Sequence, residues 1–171
     1  MSQRESVFFK TVLEYLVMIN EQSYSGIGRQ LHITPQQFSD WIKKRRPIPQ
    51  ERLQALADYF GVDGAVFVDT NNFVKPLTPL EKVNIHILLL DQKLALLEKE
   101  GAEDEEIGPY RAKKQKLLKE RAEQDRLAKI AATLQLNDER INRILDYVIH
   151  KLESGRVEEL EMKLNKGEEQ R

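Results

Sequence analysis

Apolar positions recur at helical spacing along most of the chain. Val7, Phe8, Val12, Tyr15, Leu16 and Ile19 follow one another by one to four residues, which predicts a first helix from about Glu5 to Asn20. Ser25 is a candidate cap for a short second helix ending near Leu31, and His32-Ile33-Thr34 reads as a turn. Thr34, Pro35 and Gln37 then occupy the cap, first and third positions of a third helix, a capping box of the T-x-x-Q form. Ile33 and Phe38 flank that box at the spacing of a hydrophobic staple. The third helix is expected to run to about Lys44, because Pro47 and Pro49 end it and open the next. Leu53, Leu56, Ala57 and Phe60 form the apolar stripe of a fourth helix closed by Gly61. "VDGAVFV" predicts one more short turn packing back on the core.

After "DTNNFVKPL" (69–77) the pattern changes to Leu, Ala, Glu, Lys and Arg. The expected division is therefore a domain over 1–70, a linker over 71–77, a helical region over 78–166 and a disordered tail over 167–171. Thr78-Pro79-Leu80-Glu81 is a second capping box. Leu80, Val83, Ile87, Leu90, Leu94 and Leu97 follow it as a heptad-like seam, widened by Leu88, Leu89 and Leu96. Gly101 closes this helix, "EDEE" at 103–106 reads as an acidic loop, and Pro109 opens a second long helix to about Leu134. Its candidate buried positions are Ile107, Tyr110, Leu117, Leu118, Leu127, Ile130, Ala131 and Leu134. Asn137 is the expected cap of a third helix with Ile141, Ile144, Leu145, Val148, Ile149 and Leu152 on its apolar face, and Ser154-Gly155 breaks it. The fold class predicted is all-α: an N-terminal five-helix domain followed by long helices forming a bundle or coiled coil.

Composition narrows the function classes. The 171 residues include no cysteine, so neither a disulfide framework nor a thiolate metal site is available. No apolar stretch nears the ~20 residues that span a bilayer, and Glu5, Lys10 and Glu14 interrupt the N-terminal apolar residues. A soluble, cytoplasmic protein is expected, with no membrane partner. With 27 basic and 28 acidic residues the net charge is −1, so a nucleic-acid case must rest on local charge placement. Such a place exists: Lys43-Lys44-Arg45-Arg46 directly follows the capped third helix. His32, His86 and His150 lack ligand spacing, and neither a phosphate-binding glycine loop nor a nucleophile elbow is present. No catalytic role, metal or cofactor is expected.

Two short helices joined by a tight turn form the helix-turn-helix layout. "YSGIGRQLHITPQQFSDWIKKRRPIPQERLQALADYFGV" resembles the helix-turn-helix domain of the Cro/CI-type (XRE family) repressors over roughly residues 7–68. The resemblance rests on Gly28 in helix two, on Ile27, Leu31, Ile33, Phe38 and Trp41, on the exit Arg45-Arg46-Pro47, and on the fourth helix, Leu53 to Val62. Three positions depart from the family pattern: His32 and Lys44 stand where glycine is usual, and Tyr24 stands at the front of helix two where a glutamine is common.

The resemblance implies that Pro35–Lys44 is a recognition helix whose front enters the major groove. Gln36, Gln37, Asp40 and Ser39 are then the candidate base readers, and Thr34, Lys43, Lys44, Arg45, Arg46 and Arg29 the candidate phosphate contacts. It further implies double-stranded DNA as partner, repression of genes on a phage, plasmid or other mobile element, and an anti-repressor protein or peptide as a possible modulator. Reading repeated half-sites calls for a symmetric oligomer, a homo-dimer or homo-tetramer. Its expected interface is Leu80, Val83, Ile87, Leu90, Leu94 and Leu97 on one helix and Ile141, Leu145, Val148 and Leu152 on another. Two alternatives share the layout: a DNA-packaging subunit resembling the small terminase of phages, and an antitoxin-type interaction module.

Overall fold

Thr11 sets where the first helix starts. Its hydroxyl accepts the Glu14 backbone N–H at 3.2 Å, and the Glu14 carboxylate accepts the Lys10 N–H at 3.2 Å. Helix α1 is therefore Val12–Ile19. Lys10 and Thr11 are held outside it by extended pairing: the Leu77 N–H donates to the Lys10 carbonyl and the Val12 N–H to the Lys75 carbonyl. The computed structural model describes residues 10–168, so the expected start at Glu5, with Val7 and Phe8, lies outside the described residues.

The fold is all-α: eight α-helices, one 3-10 turn and no strand among the described residues, apart from isolated bridges at Thr11–Pro76 and Val68–Val74. Helix α2 is Tyr24–Leu31, capped by Ser23 rather than Ser25 because the Ser23 hydroxyl accepts from Gly26. Helix α3 is Pro35–Ile42 and α4 is Gln50–Phe60, ended by Gly61 with φ of 64°. "VDGAVFV" supplies the 3-10 turn Gly64–Val66 and delivers Phe67, fully buried, into the core. That core gathers Val12, Leu13, Leu16, Ile27, Phe38, Trp41, Ile48, Leu56 and Phe67 among others.

The chain divides into two compact units, 1–121 and 122–171. The expected boundary at 71–77 is instead built into the first unit. Val74 is fully buried, the Ile48 N–H donates to the Asn72 carbonyl, and the Asp69 carboxylate accepts from Asn71 and Phe73. Buried backbone must be paired, and this segment is paired.

Helix α5, Pro79–Lys99, is capped by Thr78 and presents two apolar faces. Ile85, Leu88 and Leu89 join the N-terminal core. The Tyr15 hydroxyl and His86 Nε2, 2.5 Å apart, fasten α5 to α1. Burial beside Lys82 and Lys113 lowers the His86 pKa from its ordinary 6.5. The opposite face packs on α6, Asp104–Leu134. Val83, Ile87 and Leu90 meet Leu117, while Leu94 and Leu97 meet Ile107. The seam expected to join two chains is thus largely filled within one. Val83, Ile87, Leu90, Leu94 and Leu97 are all below 9 % exposed, and Leu80 is half-buried.

Helix α6 begins at Asp104, so "EDEE" is not a loop and Pro109 lies inside the helix rather than at its first position. Three acidic residues in the first turn suit the positive end of the helix dipole, and Arg111 ties Asp104 to Glu98 of α5. With Ile107 buried, these contacts offset a proline that removes one helical hydrogen bond.

In the second unit, α7 is Glu139–Glu153 and α8 is Val157–Glu168. Asp138, not Asn137, caps α7, because Asn137 takes a left-handed φ of 51°. Lys163 Nζ donates to the Tyr147 hydroxyl at 2.7 Å, and Lys151 pairs with Glu159, holding α8 to α7. No residue from 122 to 166 is buried. Leu127, Ile130 and Leu134, expected inside, are between 46 and 58 % exposed. No helix among the described residues is long and apolar enough to cross a membrane.

Candidate nucleic-acid interface

The turn between α2 and α3 is shaped by three backbone requirements. His32 takes the left-handed conformation, φ 53°, where glycine would cost less strain. The Ile33 N–H donates to the Gly28 carbonyl at 3.0 Å and closes the turn. A Cβ on Gly28 would stand 2.4 Å from the Ile33 carbonyl oxygen, so this close approach needs glycine. Arg52 of α4 completes the arrangement, its Nη1 donating to the Leu31 carbonyl at 2.7 Å. That clamp satisfies an orphan carbonyl at the end of α2. Nothing in the local pattern points to it, since the partners are 21 residues apart.

Aromatic packing fixes how α3 lies on this turn. Phe38 and Trp41, 2 and 3 % exposed, meet edge to face with centroids 5.7 Å apart. Tyr24 meets Phe38 at a tilt with centroids 5.1 Å apart, so it joins α2 to α3 from the position where a glutamine is common in the resembling family. Burial, with Glu14 nearby, pushes its hydroxyl pKa up to about 12.

With Phe38 and Trp41 turned inward, the opposite side of α3 carries the candidate readers. The capping box is reciprocal: the Thr34 hydroxyl accepts the Gln37 N–H at 3.2 Å, and Gln37 Oε1 accepts the Thr34 N–H at 2.8 Å. Gln36 is exposed and donates through Nε2 to Asp40 Oδ1 at 2.8 Å. Asp40 in turn faces Arg45, whose Nη1 lies 3.6 Å from the same oxygen. Ser39 is half-buried and its carbonyl accepts the Lys43 N–H.

Lys43 is the C-cap of α3, and Lys44 takes φ of 54° at the place where glycine is usual in the resembling family. Lys43, Lys44, Arg45 and Arg46 are all exposed. Across residues 35–46 they set four cations against the single carboxylate of Asp40. Arg29, also exposed, ends α2 with favourable charge for the helix dipole. The structure therefore brings Thr34 to Gln37 and Gln36 to Asp40 and Arg45.

The other candidates separate into two places. Leu80, Val83, Ile87, Leu90, Leu94 and Leu97 lie on α5 in the first unit. Ile141, Leu145 and Val148 are half-buried on α7, and Leu152 is half exposed. Comparison with protein-family models, with curated proteins and with solved structures gives no match.

Proposed function

We propose that this chain is a sequence-specific DNA-binding transcriptional regulator, a repressor of a mobile element, that acts as a symmetric oligomer on repeated half-sites. The observation that carries the reading is the α2–turn–α3 unit. It holds a rigidly capped helix with polar side chains outward at its front and four exposed cations at its exit. The front of such a helix suits base edges in the major groove, and the cations suit phosphates on either side. The resemblance to the Cro/CI-type domain supports the same assignment, with Gln36, Gln37, Ser39 and Asp40 toward bases. Thr34, Lys43, Lys44, Arg45, Arg46 and Arg29 then lie toward the backbone.

The oligomer is assigned to the second unit. A helical segment with no buried residue among 122–166 lacks a core of its own. Of the thirteen large apolar side chains left exposed among the described residues, all but Met18 and Leu96 lie there. Eleven such residues approach the apolar half of the ~20–30 residues that a standard interface uses per partner. Residues 122–166 carry nine acidic and eight basic side chains, so a second copy meets this surface without net repulsion. A second copy is the occupant assigned.

The test is selection from random duplexes with the full chain, followed by binding to the enriched site at several salt concentrations. An enriched inverted repeat is expected, with log K falling by about 0.9 per phosphate contact per decade of salt. Arg46→Ala should weaken all sequences alike and flatten that slope by about one per contact removed. A flat enrichment profile sinks the reading.

A further inference from the structure

Gln36 and Gln37 are the same residue type at adjacent positions, yet the fold engages different ends of their amides. An unrestrained glutamine amide offers both a carbonyl and an NH₂ group and is free to turn either outward. Gln37 has its carbonyl committed, because Oε1 accepts the Thr34 N–H at 2.8 Å in the capping box. That bond draws the carbonyl back to the helix start and leaves the NH₂ with both donors free. Gln36 is restrained the other way. Its Nε2 donates to Asp40 Oδ1 at 2.8 Å, and an ionised carboxylate can only accept. The NH₂ must therefore face Asp40, which leaves Oε1 and one N–H for an outside partner.

On the basis of the DNA-binding reading above, we infer that Asp40 is the positioning residue that makes Gln36 select adenine and reject guanine. Adenine presents an N6 donor beside an N7 acceptor, the complement of an amide carbonyl and an N–H. Guanine presents two acceptors, O6 and N7, which would face the Gln36 carbonyl and lie near the Asp40 carboxylate. Rejection of the wrong base thus comes from a repulsive element as well as from the missing bond. Gln37, with its carbonyl engaged at the cap and its NH₂ free, suits an acceptor edge such as guanine O6 and N7 or thymine O4. Two glutamines in sequence then read different bases.

Arg45 has a defined part in this. Its backbone N–H donates to the Asp40 carbonyl at 2.8 Å, and its guanidinium lies 3.6 Å from Asp40 Oδ1. The Asp40 side chain is only 16 % exposed, against 59 % for Arg45. A half-buried carboxylate on a DNA-facing helix would repel phosphates, and the adjacent guanidinium offsets that charge. The carboxylate that Gln36 bonds is thereby balanced by a neighbouring cation, and the surface stays cationic.

The experiment compares full-length wild type, Asp40→Ala and Asp40→Asn in the same random-duplex selection. Competition binding on the enriched site with adenine or guanine at the discriminated position follows. Wild type is expected to prefer adenine by roughly ten- to a hundred-fold. Asp40→Ala frees the amide and removes the carboxylate, so this preference should collapse at that one position while affinity for unrelated duplex stays the same or rises. Asp40→Asn keeps an acceptor for Gln36 and should retain part of the preference. A merely structural role for Asp40 would instead weaken all sequences together and leave base preference unchanged. If wild type enriches a motif and Asp40→Ala enriches it with the same adenine preference, this inference is overturned and the DNA-binding reading survives. If wild type enriches nothing, both fall.

Discussion

Gly28 shows how one residue settles the junction of α2 and α3. In a helix interior, glycine to alanine ordinarily gains about 1 kcal/mol from lower backbone entropy loss. At Gly28 the added Cβ would stand 2.4 Å from a backbone carbonyl oxygen, which has no flexible end to move aside. Displacing that turn costs about 1–3 kcal/mol, so the clash outweighs the propensity gain. Gly28→Ala should lower the urea midpoint, and Gly108→Ala on α6, where nothing lies within 4 Å, should raise it. Equal shifts of the same sign in the two variants would contradict this account. At the same scale the sequence shows Thr34, Pro35 and Gln37 as a capping box, because all its partners lie within three residues. It equally contains Thr11-x-x-Glu14, the signal for the start of α1, which the longer apolar periodicity from Val7 onward hides.

At the scale of elements, α6 is the instructive case. Proline usually opens a helix, and Pro109 stands after the acidic run in a place that fits that role. Instead the helix starts five residues earlier and accepts the proline, because Ile107 must reach Leu94 and Leu97. The proline ring costs about 3 kcal/mol in a helix interior. Pro109→Ala restores the N–H while loosening the unfolded chain by about 0.4–1 kcal/mol. The expected net result is a gain of about 2 kcal/mol, read as a higher thermal midpoint with α6 intact by circular dichroism. A loss of stability would show that Pro109 opens a helix rather than interrupting one. Helix α5 carries the companion lesson. Its spacing marks an apolar seam plainly, but the same pattern serves a coiled coil between chains and a hairpin within one.

At the scale of the whole molecule the two units differ in how they satisfy their apolar residues. The first unit buries a continuous core that includes Trp41, Leu56 and Phe67. The second exposes Ile144, Ile149, Leu152 and Leu164 at 50 to 70 %. If a second copy covers that surface, sedimentation equilibrium of the full chain should give a mass at least twice 19.9 kDa. Ile144→Asp with Leu152→Asp should return the mass to one chain, while Leu97→Ala should destabilise the first unit by about 2–5 kcal/mol without changing the mass. A monomer at high micromolar concentration in the wild type would exclude the assignment. On the proposed DNA-binding reading, DNA affinity would provide an independent readout, because dissociated chains would contact single half-sites and lose the gain from two linked contacts.

Short-range chemistry is what the sequence determined by itself. Caps at Thr34 and Thr78, the proline-opened starts of α3 and α5, the inward pairing of Phe38 with Trp41 and the basic exit at 43–46 are all set by residues within about one turn of each other. Tertiary structure decided everything in which the partner lies far along the chain. It placed the α5 seam inside the molecule against Ile107 and Leu117, built residues 71–77 into the first unit, and clamped Leu31 with Arg52. It also engaged different ends of two neighbouring glutamine amides, one at Thr34 and one at Asp40. Periodicity reveals that a face is apolar, and an amide reveals that it can donate and accept. Which surface covers that face, and which end of that amide is already in use, depends on three-dimensional neighbours.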